Sequence, residues 1–197
     1  REQDPERIVF VPAMGWQDYN YIKYARVAEE DPNAVVSFHY YLPMLLSHYK
    51  MLAWVGYQGA VQYPGVVIPT QSDADKYPQY ASFHKTTYNA DRIMGEMSNA
   101  ASDGRNAGLA VHCGEFGCSK NVAEAMRLAW FTDMVAAMEA NNIPWTLWEC
   151  LDGGFGFVDM EYGIYRINCP LLKVLTGKEL TDAEAKALLQ KYGFKTE

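Results

Sequence analysis

The sequence has no apolar run near the roughly 20 residues that a membrane-spanning helix needs. Its first residues, Arg-Glu-Gln-Asp-Pro-Glu, are polar and acidic, unlike a signal peptide, and nothing in the chain indicates its cellular location. The 17 Lys and Arg are outnumbered by 24 Asp and Glu and form no basic stripe. These absences argue against a membrane or a nucleic acid as partner.

Cysteine is also scarce. Cys113, Cys118, Cys150 and Cys169 form no close-spaced disulfide framework, so they do not indicate a redox compartment. His112 lies beside Cys113, but no Cys-x-x-Cys pair or second ligand cluster supplies the spacing of a zinc site. We therefore expect small buried side chains, with no metal and no other cofactor.

The composition that is present, 49% hydrophobic and 21% charged, is typical of a globular protein with a sizeable core. Apolar strand-like runs alternate with helical periodicity, which predicts an α/β fold with a parallel sheet. No linker is visible, so we expect one domain over residues 1–197. Strands are predicted at 7–14, 34–41, 108–116 and 144–150, helices at 21–30, 83–101, 122–140, 170–175 and 181–192, and an irregular segment at 42–82.

Polar side chains fall at the carboxyl ends of three predicted strands. Glu115 ends an apolar strand and stands between glycines, which points its carboxylate toward a cleft or a partner and not into a core. His39 and Tyr41 end one neighbouring strand, and Trp148 with Glu149 ends another. Barrels and open α/β sheets place their ligand sites at this edge, so we expect one shared rim.

Four motifs together resemble the second half of the catalytic barrel of glycoside hydrolase family 5, the cellulase and mannanase group. The resemblance implies a (β/α)4 half of a TIM (β/α)8 barrel, with strands equivalent to the fifth to eighth. It covers most of the chain. The motifs are His39-Tyr40-Tyr41-Leu42-Pro43, Leu46-Ser47-His48, Gly114-Glu115-Phe116-Gly117 and Pro144-Trp145-Thr146-Leu147-Trp148.

The resemblance implies a retaining glycosidase acting on a β-linked polysaccharide or oligosaccharide, with Glu115 as the nucleophile. His39 and Tyr41 would hold substrate and orient the carboxylate, and Trp148 would lie against a sugar ring. The alternatives are a locally satisfied strand-end histidine for His39 and core packing for Trp148. Family members are mostly secreted. Further substrate-binding candidates are His48, Trp16, Trp54 and Tyr57.

The chain departs from the family pattern in one important respect. The family's acid/base lies in an Asn-Glu-Pro motif, and this motif does not occur here. A retaining enzyme needs that second carboxyl group about 5 to 5.5 Å from the nucleophile. We therefore expect activity to require a second half-barrel. The sequence would then be a fragment of a longer enzyme, one chain of a split barrel whose first half is separate, or a half that pairs with a second copy of itself. In a self-paired form, Glu149 of one copy would stand opposite Glu115 of the other. The alternative, which the sequence favours, is an acid on the outer face of the barrel that pairs with a helix, since Trp148 and Glu149 point to opposite sides of a regular strand.

Two other functions stay open. A noncatalytic carbohydrate-binding half-barrel, or an inactive fragment, would keep the aromatic residues and lack turnover because the proton donor is absent. A thiol or Ser-His hydrolase built on Cys113 or Ser119 is a weaker possibility, since nothing resembles a nucleophile elbow.

Overall fold

The computed structural model describes residues 2–27, 31–51, 56–151 and 153–197. The chain divides into two compact units, which we treat separately. The first unit comprises Arg1–Tyr40, Asp91–Phe116 and Ala136–Thr146, and the second comprises Tyr41–Ala90, Gly117–Val135 and Leu147–Glu197. In the described part of the chain, no helix combines the length and apolar character that a bilayer crossing requires.

Strands and helices follow one another along the chain. The strands are β1 (Val9–Pro12), β2 (Ala34–Tyr40), β3 (Gly65–Val66), β4 (Thr87–Tyr88), β5 (Ala110–Phe116), β6 (Trp145–Leu147), β7 (Val158–Glu161) and β8 (Ile164–Ile167). The helical segments are α1 (Met14–Gln17), α2 (Met44–Ser47), α3 (Gln71–Lys76), α4 (Ala90–Asn106), α5 (Glu124–Ala140), α6 (Cys169–Thr176) and α7 (Asp182–Lys191), with 3-10 helices at Tyr19–Tyr24 and Pro78–Lys85.

The main sheet has four parallel strands in the order β1-β2-β5-β6. This arrangement confirms the predicted α/β fold with a parallel sheet. One face of the sheet is packed. Val36, Phe38 and Tyr40 occupy every second position of β2, so they point to the same face, and all three are almost wholly buried. Helix α4 covers this face, and a Cβ on its Gly104 would lie 2.0 Å from Cγ2 of Val111. Only glycine permits so close a contact between helix and strand.

Two predicted helices were wrong in part. The segment 21–30 forms a 3-10 helix at Tyr19–Tyr24 and has no helical assignment at 25–27. Its start is fixed by Asp18, whose carboxylate accepts a hydrogen bond of 2.8 Å from the Asn20 backbone N–H. The segment 83–101 is not one helix either, because Thr87–Tyr88 pairs as β4 with β3 and α4 begins only at Ala90.

The second unit contains a β-hairpin that the sequence analysis missed. Strands β7 and β8 pair antiparallel, and the turn between them places Tyr162 and Gly163 at positive φ. The alternation of Val158–Glu161 and Ile164–Ile167 around a glycine is the signal that identifies it. The predicted last helix is confirmed as α7, with the Thr181 hydroxyl and the Glu184 carboxylate forming a capping box.

Candidate active site

Glu115 and His39 lie side by side at the carboxyl ends of neighbouring parallel strands in the first unit. The register pairs Phe38 with Cys113 and then His39 with Glu115, so one residue of β5 is skipped. This bulge turns Glu115 onto the side of the sheet occupied by His39, whereas strict alternation would direct it to the helix-covered side. Nδ1 of His39 is 3.3 Å from Oε2 of Glu115.

The two side chains are partly buried and electrostatically linked. Desolvation lowers the pKa of His39, while the Glu115 carboxylate acts in the opposite direction. Because desolvation is the larger effect, the imidazole is neutral near pH 7. A carboxylate can only accept hydrogen bonds, so the Nδ1–H tautomer is the one that suits this contact. The imidazole therefore orients the carboxylate without neutralising its charge.

Gly114, the skipped residue, has a steric role. A Cβ at this position would lie 2.4 Å from Oγ of Ser37 and 3.6 Å from the His39 ring. A side chain here would overlap the Ser37 hydroxyl and would also contact the His39 ring. The first glycine of the Gly-Glu-Phe-Gly motif is thus required by close packing.

In the second unit, the rings of Tyr41 and Phe155 both contact the ring of His48. Its ring centroid lies 4.9 Å from that of Tyr41 and 5.2 Å from that of Phe155, both in edge-on contacts. Oγ of Ser47 donates a hydrogen bond of 2.5 Å to the Tyr41 carbonyl and lies 2.9 Å from Nδ1 of His48. Since the hydroxyl proton is already used, Nδ1–H of His48 must be the donor in the second contact. Burial lowers the pKa of His48, which keeps this ring neutral.

Trp148 also belongs to the second unit and is 46% exposed. The Trp148 backbone is closely packed even so, since a Cβ on Gly117 would lie 2.2 Å from the Trp148 carbonyl oxygen and 3.0 Å from the Phe155 ring. The second glycine of the motif is therefore also required by packing. The sequence interpretation placed Trp148 and Glu149 on opposite sides of a strand, but β6 ends at Leu147, so strand alternation does not apply to them.

Glu149 packs within its own unit. Its Oε1 is buried and has no hydrogen-bond partner among the residues that the structure describes. The same oxygen lies so close to Gly153 that a Cβ there would approach it to 2.1 Å.

The remaining aromatic candidates differ in exposure. Trp16 is 98% exposed and lies in α1, which is not a regular α-helix because Gly15, Trp16 and Gln17 all have positive φ. Tyr57 is buried, and its hydroxyl donates to the Ala60 carbonyl at 2.5 Å, so it offers no free ring face and the expectation that it stacks on sugar is not supported. Trp54 lies outside the described residues.

The structure contradicts the thiol and serine alternatives. Cys113 and Cys118 are fully buried, and burial raises the pKa of both thiols, to about 12 for Cys118. Ser119 is buried too, and its hydroxyl donates to the Tyr49 carbonyl at 3.0 Å. Over the described ranges, no three His, Cys, Asp or Glu side chains are grouped to hold a metal ion.

Sequence analysis missed one residue that organises the second unit. Arg127 is buried, and its guanidinium donates to the carbonyls of Cys118 at 2.9 Å, Gly156 at 2.8 Å and Phe155. It thereby joins the segment after Gly117 to the loop that carries Phe155. No sequence pattern distinguishes this arginine from its surface neighbours on α5.

The model of the cellulase family, glycosyl hydrolase family 5, matches residues 1–154. The chain belongs to this family. Endoglucanase C of Acetivibrio thermocellus is 22% identical over 173 residues, which are 84% of this chain and 48% of that protein. Endoglucanase H of the same organism is 26% identical over 165 residues, 84% of this chain and 15% of that protein.

Solved structures show the same fold. An endoglucanase superposes with a TM-score of 0.68 at 21% identity, covering 90% of this chain and 50% of that one. Cellulose synthase subunit Z of Clostridioides difficile gives 0.67 at 22% identity, covering 89% and 51%. The chain spans about half the length of Endoglucanase C and of these structures. The expected (β/α)4 half of a family 5 barrel is thus confirmed as the fold.

Proposed function

We propose that Glu115 is the nucleophile of a retaining β-glycanase of the endo-β-1,4-glucanase type. The observation that supports this most strongly is the bulge that brings His39 Nδ1 to 3.3 Å from Glu115 Oε2 at the carboxyl edge of the parallel sheet. A polar pair at this edge of a barrel sheet is characteristic of catalysis and not of stability. Family membership gives the reaction class.

In the proposed reaction, a Glu115 carboxylate oxygen attacks the anomeric carbon as the glycosidic carbon–oxygen bond breaks. The departing oxygen takes a proton from a second carboxylic acid, which then removes a proton from the water that hydrolyses the glycosyl-enzyme. His39 holds the attacking carboxylate in position. The sequence contains no Asn-Glu-Pro motif, so we propose that the acid comes from a second half-barrel.

Carbohydrate contact is proposed for Tyr41, His48, Trp148 and Trp16. Trp148 and Trp16 present exposed rings, and a flat aromatic face suits the apolar face of a pyranose. The hydroxyl of Tyr41 and Nε2 of His48 would supply polar contacts, since Nδ1 of His48 is already engaged with Ser47. A β-1,4-linked glucan or mannan is the proposed substrate.

A 2-deoxy-2-fluoro glycoside with a good leaving group tests the nucleophile directly. The activated leaving group departs without a proton donor, so the missing acid does not prevent reaction. We expect mass spectrometry of a digest to find the label on the peptide that contains Glu115, and Glu115→Gln to remain unlabelled. Glu96→Gln, in the same unit, is the control and should label normally. Labelling that persists in Glu115→Gln would refute the assignment.

The competing function is a noncatalytic carbohydrate-binding half-barrel. The exposed rings of Trp16 and Trp148 favour it as much as they favour catalysis. Calorimetric binding of a cello-oligosaccharide, lost in Trp148→Ala but without any labelling of Glu115, would support binding alone.

A self-paired form in which Glu149 supplies the acid remains a separate proposal. The burial of Glu149 Oε1 against Gly153 weakens it, because an acid/base must reach the glycosidic oxygen. Unchanged hydrolysis of a natural glycoside by Glu149→Gln would exclude it.

A further inference from the structure

Tyr162 stands at the tip of the β7–β8 hairpin in the second unit and is 95% exposed. The pairing of Glu161 with Ile164 leaves Tyr162 and Gly163 as a two-residue turn, and both have positive φ, 50° and 77°. Such a turn favours Asn-Gly, because a bulky side chain is strained in the left-handed region. The fold thus holds an aromatic ring in water at a position where asparagine would cost less. Backbone outliers of this kind are common at ligand sites.

Beside the ring lies a cleft of about 470 Å³, which we call the hairpin cleft. It is lined by one aromatic, one aliphatic and four charged side chains: Tyr162, Ile164, Asp159, Glu161, Arg166 and Glu197. The register pairs Asp159 with Arg166, and Glu161 lies on the same side of the hairpin because it follows Asp159 by two residues. The cleft is therefore built on one face of the hairpin, with the Tyr162 ring at its end.

Ion pairs hold two of the charged groups of the hairpin cleft in place. Nζ of Lys120 lies 2.9 Å from Oδ1 of Asp159 and also donates to the Val158 carbonyl at 2.8 Å. The Arg166 guanidinium pairs with the Glu197 carboxylate. A carboxylate accepts several hydrogen bonds, and a guanidinium has more N–H groups than one ion pair uses. Oriented donors and acceptors therefore remain available beside the ring.

The chemistry of the hairpin cleft selects a neutral ligand that is rich in hydroxyl groups and has an apolar face. Three carboxylates against one guanidinium disfavour phosphates and other anions. A hydroxyl both donates and accepts, so neighbouring hydroxyls satisfy Glu161 and Arg166 together. The C–H face of a pyranose fits the flat ring of Tyr162. The volume is that of a small-molecule site, whereas a stable protein interface needs a larger apolar centre.

We propose that the hairpin cleft is a second carbohydrate site, in which Tyr162 stacks on a pyranose of a β-linked glycan while Glu161 and Arg166 hydrogen-bond its hydroxyls. The lining includes none of the residues proposed above for catalysis or for sugar contact. The cleft therefore holds the glycan and takes no part in bond cleavage. This site goes beyond the proposed function and does not depend on Glu115 being a nucleophile.

Depletion of the full chain from solution by insoluble cellulose and by insoluble mannan tests the site. Tyr162→Asn removes the ring and gives the turn the sequence that it favours, so the urea midpoint should not fall. We expect its partition onto at least one of the two polymers to drop about tenfold, the effect of removing a central aromatic contact. The polymer that shows the drop identifies the sugar. Tyr192→Asn is the control and should bind as the parent does, since Tyr192 is 68% exposed in the same unit but does not line the cleft.

Glu161→Ala distinguishes a built site from nonspecific adhesion of an exposed ring. Loss of the carboxylate that accepts from sugar hydroxyls should weaken binding several-fold. Glu179→Ala, an exposed acid of the same unit outside the hairpin cleft, should have no effect. Because the ligand is neutral, raising the salt from about 0.05 M to about 0.5 M should leave the partition of the parent unchanged. Binding that salt abolishes would show an ionic contact and overturn the proposal.

Equal partition of the parent and Tyr162→Asn on both polymers also overturns the proposal, as does an equal drop in Tyr162→Asn and Tyr192→Asn. The fluoro-glycoside experiment reports on Glu115 separately. Labelling of Glu115 without any effect of Tyr162→Asn on binding refutes the hairpin cleft alone. Binding that depends on Tyr162, without labelling of Glu115, refutes the proposed nucleophile alone.

Discussion

Glu115 faces His39 because the pairing of their strands shifts by one residue after Phe38. With a regular register His39 would lie opposite Gly114, and the carboxylate would turn toward the side that α4 covers. The bulge therefore converts a residue that alternation would bury into one that a substrate can reach. The smallness of Gly114 permits the bulge, since a Cβ there would meet Ser37 Oγ at 2.4 Å.

The first prediction concerns Gly114→Ala. The added methyl group overlaps the Ser37 hydroxyl, which must move, so we expect a loss of about 1–3 kcal/mol in unfolding free energy. We also expect slower labelling of Glu115 by the fluoro-glycoside, because the backbone of the bulge that positions Glu115 must shift to relieve the overlap with Ser37. Urea unfolding and mass spectrometry measure the two effects. Ser37→Ala in the Gly114→Ala background should restore much of the stability, and no restoration would show that Ser37 is not the obstacle.

The second prediction compares two glycines of α4. Gly104→Ala would bring a methyl group against Val111 Cγ2, and we expect destabilisation by about 1–3 kcal/mol. Gly95→Ala meets nothing within 4 Å on the exposed side of the same helix, so it should stabilise by about 0.5–1 kcal/mol through helix propensity. Urea midpoints of the two variants should move in opposite directions. Movement in the same direction would contradict the close packing of α4 on β5.

The sequence predicted the parallel sheet well because β2 and β5 are apolar runs, and such runs are typical of strands buried in a parallel sheet. It predicted α7 because the Thr181 and Glu184 pair is a local signal. It failed where local pattern and tertiary pairing conflict. Thr87–Tyr88 forms strand β4 only because it pairs with β3, and no local periodicity in the sequence reveals this pairing.

For the site, the sequence predicted that Glu115 and His39 lie together at one rim of the sheet, and the two side chains are neighbours in the structure. It did not predict the bulge, because the skipped residue is identified only by the strand register. It also placed Trp148 and Glu149 on a strand that ends before them. Tyr57 was proposed for sugar binding from its residue type alone, but it is buried and its ring contacts those of Tyr77 and Tyr80, at centroid distances of 4.8 and 6.0 Å.

The third prediction concerns Arg127. Lysine at this position retains the charge but lacks the planar, forked guanidinium that donates to three carbonyls. At least one carbonyl therefore loses its hydrogen-bond partner. We expect Arg127→Lys to lower the unfolding free energy by about 1.5–3 kcal/mol, the usual value for a hydrogen bond to a charged group. Arg92→Lys is the control, because its ion pair with Glu96 is a partly exposed pair within one helix and should change stability by less than about 0.5 kcal/mol. Equal losses in both variants would contradict a special role for Arg127.

The last prediction concerns pH and His48. Burial lowers the pKa of His48 below its ordinary 6.5, so the unfolded chain binds a proton here at a higher pH than the folded chain does. Stability should therefore be complete above pH 6.5 and fall as the pH drops through 6.5 toward the folded pKa, because protonation favours the unfolded state. The side chains that face the ring, Tyr41, Ser47 and Phe155, carry no charge that would compensate an imidazolium.

The measurement is the urea midpoint at about pH 8 and at about pH 5. At the higher pH the neutral His48 does not oppose folding, whereas at the lower pH protonation of the unfolded chain reduces the stability of the folded state. His48→Gln removes the titrating group and should reduce the loss of stability on acidification. His39 and His112 also have lowered pKa values, so part of the loss should remain in this variant. If the variant and the parent lose the same stability between the two pH values, His48 is not held neutral by its surroundings.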